Sequence, residues 1–507
     1  MTLSGMKRIL IVLGSLVGVA ALLLGGGFLW LWNDAEISTV GEEDFANELA
    51  IPPLAKSRVA EDGTRVFDLR MRKGTKEFRA GRPTPTWGFN QSYLGPTLRA
   101  ERGEKVRVRV RNGLDETSSV HWHGMHLPAR MDGGPHQPVR AGATWTPHWK
   151  VDQPASTLWY HPHPHGKTEK HVQRGLAGMF LLDDEKTRKL ALPKRYGVDD
   201  LPLIVQDVKF DGDRFDHGHA MMRNVGFLGD RTMVNGTLSP HRTVKDERVR
   251  LRLLNASTAR SYHFGFDDDR DFTLVGTDGG LLERPDRMNR VKLSPGERAE
   301  IVVRMRPGER TVLRGYSGAV GGDSFQRRFS GDDDSFDVLQ LRAARTLRSS
   351  PPVPGELGEL EVPKGENPAR KRRFTLRMGQ INGKAMDMKR VDATVTRGTE
   401  EVWTVKNEDM PHNFHVHDVQ FRVLEIDGKR PTGTLRGPKD TVFIPAGSTA
   451  KLAMRFEGPS DPKTPYMFHC HLLYHEDLGM MGQFTVVEPG EKAARVPGAG
   501  GGHTHHH

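Results

Sequence analysis

The sequence predicts an all-β protein in which three consecutive β-sandwich domains follow an N-terminal hydrophobic helix. One strand template recurs three times, as GEKVRVRVRN at 103–112, DERVRLRLLN at 246–255 and GTEEVWTVKN at 398–407. Each copy reads as a turn, an alternating strand and an asparagine, and three copies of one unit imply three similar domains. Between them, short alternating runs are punctuated by Gly, Pro, Asn and Asp, with no long helical period to compete. Ahead of all three lies Ile9–Trp32, an uninterrupted uncharged run. It exceeds the roughly 20 apolar residues that span a bilayer.

In chain order, residues 1–45 read as a membrane anchor and linker. Lys7 and Arg8 precede the run, while Glu42, Glu43 and Asp44 follow it. Basic flanks stay on the cytoplasmic side, so the rest of the chain is expected on the extracytoplasmic side of the cell membrane. The alternative is a cleaved signal peptide and a secreted protein. Signal h-regions, however, run to only about 7 to 15 residues, and no clean A-x-A site follows here. The three sandwiches are expected at 46–190, 191–348 and 374–490, each near the usual domain length of about 100 to 150 residues. A Pro-, Gly- and charge-rich linker occupies 349–373. Residues 491–507 form a Gly-rich tail ending His503-Thr504-His505-His506-His507, read as flexible and without catalytic role, with metal gathering by its histidines as the alternative. The net charge of +10 does not point to nucleic acid. Arg107, Arg109 and Arg111 share one face of an alternating strand, as a solvated sheet face requires, and no aromatic stacking platform accompanies them. A monomer is expected.

The chemistry gathers around Cys470, the only cysteine in the chain. It stands between His469 and His471, with His475 and Met480 close behind. A thiolate, two imidazoles and a weak thioether make the ligand set of a blue-copper electron-transfer site. A catalytic Cys/His nucleophile is a rival reading, but its partners are normally distant in sequence. A buried inert thiol is another. Four His-x-His pairs decide between them: His121/His123, His161/His163, His415/His417 and His469/His471. Among 23 histidines one pair could be chance, as His217/His219 is read to be, but four are not.

On a strand, residues i and i+2 share a face and the residue between them points away. Two histidines of a pair can therefore reach one metal cluster, and in His469-Cys470-His471 the thiolate is aimed at a different metal. The template strands lead to His121-x-His123, to His263-x-Gly265 and to His415-x-His417. The middle copy has lost its second histidine and is expected to bind no copper. The cluster is then expected where the first and third domains meet, with the middle domain as a spacer.

The segments HWHG (121–124), HPHPHG (161–166), HNFHVH (412–417) and HCHLLYHEDLGMM (469–481) resemble the four copper motifs of the multicopper oxidases, a resemblance covering most of the chain after the N-terminal segment. It implies cupredoxin-like, Greek-key β-sandwich domains and four copper ions. His412, Cys470, His475 and axial Met480 resemble the type 1 site, and His121 with His415 the type 2 site. The type 3 pair would be held by His123, His161 and His471 on one copper and by His163, His417 and His469 on the other. Asn413 stands where the family usually has proline; it changes no ligand, so only a local backbone difference is expected. The implied reaction takes electrons one at a time from a reducing substrate and passes them through Cys470 and its flanking histidines. Dioxygen is then reduced by four electrons to two waters. Asp132, in MDGGP, and Glu476, after His475, match the acids the family places beside the cluster to supply protons. Otherwise they are a turn aspartate and a carboxylate orienting a histidine. No twin-arginine pair precedes the apolar run, so the export route stays open.

Several stretches, among them HPHPHGKT, GLAGMFLLDD and TDGGLLE, resemble bacterial copper-efflux-type cuprous oxidases more than fungal or plant laccases. In that group a methionine and carboxylate site near the type 1 copper binds Cu(I). Met378, Glu408, Asp409 and Met410 fall at or near such positions, and thioethers select Cu(I). Cu(I) is therefore the favoured donor, with copper detoxification as the role. The long methionine-rich insertion of that group is missing, because Met378 runs almost directly into Ile381-Asn382-Gly383. That should open the type 1 edge to bulkier donors, and laccase-like oxidation of phenols is the alternative. An alternative of another class is a non-catalytic copper-binding or envelope structural protein. Copper-free structural relatives lack the ligands, whereas here all ten histidines, the cysteine and the methionine are present.

Overall fold

Alternation sorts the first template strand onto two faces. In Lys105–Asn112, Val106, Val108, Val110 and Asn112 are buried, while Lys105, Arg109 and Arg111 are exposed. The middle copy, Arg248–Asn255, is instead buried on both faces, because the first sandwich packs over it. Its two buried arginines are neutralised on the spot: Arg252 Nε lies 2.7 Å from Asp200 Oδ1, and Arg250 pairs with Glu300. A computed structural model describes residues 3–219, 222 and 224–494 of the chain. The histidine tail lies outside the described residues.

Each copy of the template also pairs in the same way. Arg65–Arg79 runs parallel to Lys105–Asn112, Asp200–Val208 to Arg248–Asn255, and Arg370–Arg377 to Glu400–Asn407. The repetition read from sequence is thus a repetition of topology. The fold is three cupredoxin-like sandwiches. The first sets a six-stranded sheet against a four-stranded one around Phe67, Val108, Trp122 and Phe180. The middle has seven- and six-stranded sheets around Leu203, Leu251, Phe264 and Ile301. The third has two five-stranded sheets around Trp403, Phe414, Phe468 and Phe484.

The helix Leu3–Asp34 stands outside these cores, with its apolar side chains exposed from Ile11 to Trp30. The chain then runs onto the middle sandwich, where Asn47–Glu48 pairs in parallel with Pro240–His241. The four-stranded sheet of the first sandwich carries His121, His123 and His161, and one five-stranded sheet of the third carries His412, His415 and His469, with a gap between them. That gap holds the site.

Candidate metal centre

Two strand pairs, one from each outer sandwich, build the centre. In the first, His121–His123 pairs antiparallel with Trp159–His161, His121 lying opposite His161. In the third, His415 lies opposite His469. The intervening residues turn the other way, Trp122 and Tyr160 into the first core and Val416 into the third, as the strand period requires, and Cys470, just past the strand end at His469, also enters the third core. Eight imidazoles, from the four His-x-His pairs, are left facing one gap, all buried.

Their outer nitrogens are fixed by acceptors. His121 Nδ1 donates to the Asp132 carbonyl at 3.0 Å, His415 Nδ1 to the Asp440 carbonyl at 2.9 Å, and His161 Nδ1 to the Pro162 carbonyl at 2.8 Å. His417 Nδ1 lies 2.8 Å from Asp132 Oδ2, and His123 Nε2 lies 3.0 Å from Asp440 Oδ1. Carbonyls and carboxylates only accept, so these nitrogens carry the protons and the opposite nitrogens present bare lone pairs inward. The inward atoms crowd: His163 Nε2 and His469 Nε2 are 3.1 Å apart, His417 Nε2 and His469 Nε2 3.2 Å, His161 Nε2 and His123 Nδ1 3.4 Å. His121 Nε2, His415 Nε2 and both nitrogens of His471 have no hydrogen-bond partner among the described residues.

A second cluster lies on the far side of Cys470. Its Sγ is 3.6 Å from His412 Nδ1 and 3.6 Å from His475 Nδ1, and those nitrogens are 3.0 Å apart. His412 Nε2 is held by Asp409 Oδ1 at 2.8 Å and His475 Nε2 by the Asn224 carbonyl at 2.8 Å, so both Nδ1 atoms face the thiol bare. Met480 is buried beside them, and its carbonyl accepts the Cys470 N–H at 3.1 Å.

Lone pairs converging at such distances repel, and buried polar atoms left unpaired are costly. A cation between them removes both penalties. Among the described residues, groups with donor atoms mutually within 4.8 Å are His123/His161/His471, His163/His417/His469, His121/His123/His415, His412/Cys470/His475 and His121/Asp132/His417. Imidazoles with one thiolate are copper-type donors. The site therefore fits copper on its own geometry.

The electrostatics agree. Burial, then neighbouring imidazoles, push His123, His163, His415, His469 and His471 well below the ordinary histidine range, and His475 falls to about 3. Neutral imidazole is the ligating form. Burial raises the Cys470 thiol to about 12, so a metal must displace its proton. Burial would also raise Asp132, but the His417 and His121 imidazoles outweigh it and hold the carboxyl well below its usual range. Glu476 is pushed well above its range by burial and by Asp477. Its oxygens lie 3.2 Å from His163 Nδ1 and 3.3 Å from His469 Nδ1.

Among the residues expected to form a Cu(I) site, Asp409 has both oxygens engaged, Oδ1 with His412 and Oδ2 with the Met378 N–H at 2.9 Å. Met378 and Met410 are half-buried, and Glu408 is exposed near Lys406. His263, in the middle sandwich, is half-buried with Nδ1 3.4 Å from the Ser317 carbonyl.

Two expectations need correction. The middle sandwich is more than a spacer: it supplies the Asn224 carbonyl on His475, and Arg298 grips Asp440 through Nη1 and Nη2 at 2.8 and 2.6 Å. Its Gly296, at φ +85°, backs the cluster so closely that a Cβ would lie 3.1 Å from His471 Nδ1. Nor is Asn413 a local backbone matter. Its Oδ1 accepts the His471 N–H at 2.6 Å, and its Nδ2 donates to the Pro295 carbonyl at 2.8 Å. Asn224, Arg298 and Asp440 sit in no motif, and only the tertiary fold brings them here.

Fold and site together define a copper oxidoreductase built from three cupredoxin-like domains. Three family models, each described as multicopper oxidase, match residues 70–187, 159–312 and 359–490. The chain belongs to the multicopper oxidase family, copper oxidoreductases with dioxygen as acceptor. It is 35% identical over 87% of its length to multicopper oxidase mco of Staphylococcus haemolyticus, covering 93% of that protein. It is 36% identical over 87% of its length to cell division protein FtsP of Xenorhabdus nematophila, again covering 93%. The solved structure of the bacterial laccase-like multi-copper oxidase CueO from Ochrobactrum sp. is similar with a TM-score of 0.78 and 35% identity, covering 87% of this chain and 100% of that one.

Proposed function

We propose that this chain is an extracytoplasmic, membrane-anchored multicopper oxidase holding four copper ions and taking electrons from Cu(I). The type 1 ligands would be His412, Cys470, His475 and Met480, and the type 2 ligands His121 and His415. The type 3 pair would be held by His123, His161 and His471 and by His163, His417 and His469. The observation that carries this reading is the placement of Cys470: its Sγ faces His412 and His475 at 3.6 Å, while the residues on either side of it, His469 and His471, belong to the eight-imidazole gap. Bound copper would supply one-electron transfer at the thiolate and four-electron reduction of dioxygen to water in the gap. The backbone around Cys470 is then the shortest covalent connection between the two.

The acids divide the proton work. Glu476, whose carboxyl burial and Asp477 push well above its usual range, lies within 3.3 Å of two imidazoles and is placed to pass a proton toward the gap. Asp132 stays ionised and holds His417 and His121 in the ligating tautomer. On the donor side, Asp409 joins the Met378 backbone to the His412 ring. Met378 and Met410, with Glu408 close in sequence, would offer a cuprous ion thioether and carboxylate donors on this side of the molecule. Phenol oxidation is the second reading, favoured by the short connection from Met378 to Gly383 and by the laccase-like relative.

The FtsP relative is a cell division protein, and a non-catalytic envelope role for this chain, the reading of another class, is opposed by its complete donor set. Copper loading tests it: intense blue colour and donor-dependent dioxygen consumption are expected, and a colourless copper-loaded protein would leave the non-catalytic reading.

A further inference from the structure

We propose that the middle sandwich is seated on the membrane through the short helix Ser324–Phe329, with Phe325 inserted into the lipid interface beside the N-terminal helix. The proposal rests on reading that helix as a retained anchor, and goes beyond it: the body is docked on the bilayer surface, not tethered above it.

The depth of the contact follows from the anchor. The apolar run ends at Trp32, and Asn33 and Asp34 are the first polar residues, so Trp32 marks the interface, where tryptophans of spanning helices concentrate. Trp32 meets Phe28 within the helix at 5.9 Å between ring centroids, and meets Phe329 of the middle sandwich edge-on at 6.0 Å. Phe329 in turn packs on Phe325 at 4.8 Å. Whatever touches Trp32 lies at headgroup depth. Phe325 is 46% exposed there, a large apolar ring only partly covered by Phe329. The Arg328 guanidinium sits 5.2 Å from the Trp32 ring and pairs with Glu36 and Asp333, a polar rim at the level where headgroups begin.

The connection from anchor to body leaves no slack. The Ile37 N–H donates to Asp334 Oδ1 at 2.8 Å, the Thr39 N–H donates to the Ser335 carbonyl and the Ser335 N–H to the Ile37 carbonyl, both at 3.0 Å, and the Gly41 N–H donates to Asp337 Oδ2 at 2.9 Å. Phe45 is buried, and its carbonyl accepts from Arg342 at 2.8 Å. A flexible tether would leave these groups to water. Asp334 is also held by the buried Arg260, which binds the Gly229 carbonyl at 2.7 Å. Gly229 ends the segment whose Asn224 carbonyl contacts His475, so one buried arginine connects the anchor's stem to the electron-entry side of the molecule.

The test places fluorescent labels on introduced cysteines in the full-length, copper-loaded protein reconstituted in vesicles, with the buried Cys470 left native. Phe325→Cys and Ser324→Cys probe the seat, Val19→Cys the anchor and Val59→Cys, on the first sandwich, open solvent. With lipids carrying a headgroup-level nitroxide, the labels at 324 and 325 should be quenched several-fold more than the label at 59. The Ser324 position keeps the result independent of losing the Phe325 ring. If position 19 is lipid-shielded while 324 and 325 behave like 59, the seat is wrong and the anchor stands. If intact mass shows the mature protein lacking the N-terminal helix, both fall.

Discussion

Arg298, on the middle sandwich, places Nη2 2.6 Å from Oδ2 of Asp440 on the third, and both side chains are wholly buried. The other oxygen of Asp440 faces His123 Nε2 at 3.0 Å, and its carbonyl receives the His415 Nδ1–H at 2.9 Å. Arg298 Nε donates to the Thr157 carbonyl of the first sandwich at 2.8 Å. One guanidinium from the domain without copper motifs thus ties together the two domains that carry them.

Replacing Arg298 with methionine should therefore strip the eight-imidazole gap before it touches the Cys470 site. Asp440 would be left buried and unpaired, a change that typically costs about 3 to 5 kcal/mol. Metal analysis should show copper lost relative to the parent while blue colour persists. Unchanged copper content with an unchanged unfolding midpoint would mean the pair organises nothing.

Asn413→Pro restores the residue the family usually carries and removes three contacts at once. The His471 N–H and the Pro295 carbonyl lose their partners, and Oδ1 no longer stands 3.6 Å from Cys470 Sγ. Each buried group left unsatisfied costs about 1 to 3 kcal/mol. A lower melting temperature and a shifted blue absorption band are expected. If both stay put, Asn413 is only a local backbone difference after all.

The metal-free protein should be acid-labile. Eight imidazoles, His123, His161, His163, His415, His417, His469, His471 and His475, titrate lower in the fold than free histidine, His417 near 4 and His475 near 3. As pH falls through about 6.5 the unfolded chain takes up protons first, and each depressed imidazole then costs up to about 1.4 kcal/mol per pH unit. Glu476 and Asp477, both raised, act in the opposite sense but are outnumbered. Calorimetry of metal-free protein should show the melting temperature dropping steadily between about pH 7 and pH 5. A flat profile would contradict the burial of neutral imidazoles.

The donor site is tested by Met410→Leu, which keeps size and apolar character and removes the sulfur, a swap that usually costs less than about 1.5 kcal/mol in packing. Measured on one preparation, cuprous oxidation should fall while dye or phenol oxidation is retained. Equal loss of both would show that Met410 merely supports His412, and loss of neither would favour the phenol-oxidising reading.

The repeat and the ligand candidates were legible because both are local. A template strand such as Lys105–Asn112 carries its own period, and a His-x-His pair carries its own geometry. Cys470 stood out by being single, but its two-sided placement was expected from a strand period that stops one residue earlier, since the strand Tyr466–His469 ends before it. Asp440, Arg298, Asn224 and Gly296 were not legible, since each acts through a partner on another domain and sits in unremarkable local sequence. Asn413 was visible as a departure from a family pattern, but its weight lies in a bond to Pro295 on the middle sandwich, which no spacing reveals. The docking of residues 37–49 onto the middle sandwich was hidden for the same reason: the segment lies next to the first sandwich in sequence and pairs with the second in space.

The reading of this chain as an oxidase hangs on Cys470, and Cys470→Ser tests it most directly. Serine is the nearest isostere, slightly smaller than cysteine, and cannot supply the thiolate. The variant should fold with an unchanged far-ultraviolet circular dichroism spectrum, show no blue colour after copper loading, and lose dioxygen consumption with every one-electron donor. A colourless variant that still oxidised a one-electron dye would show that electrons enter elsewhere and that Cys470 is not the link to the eight-imidazole gap.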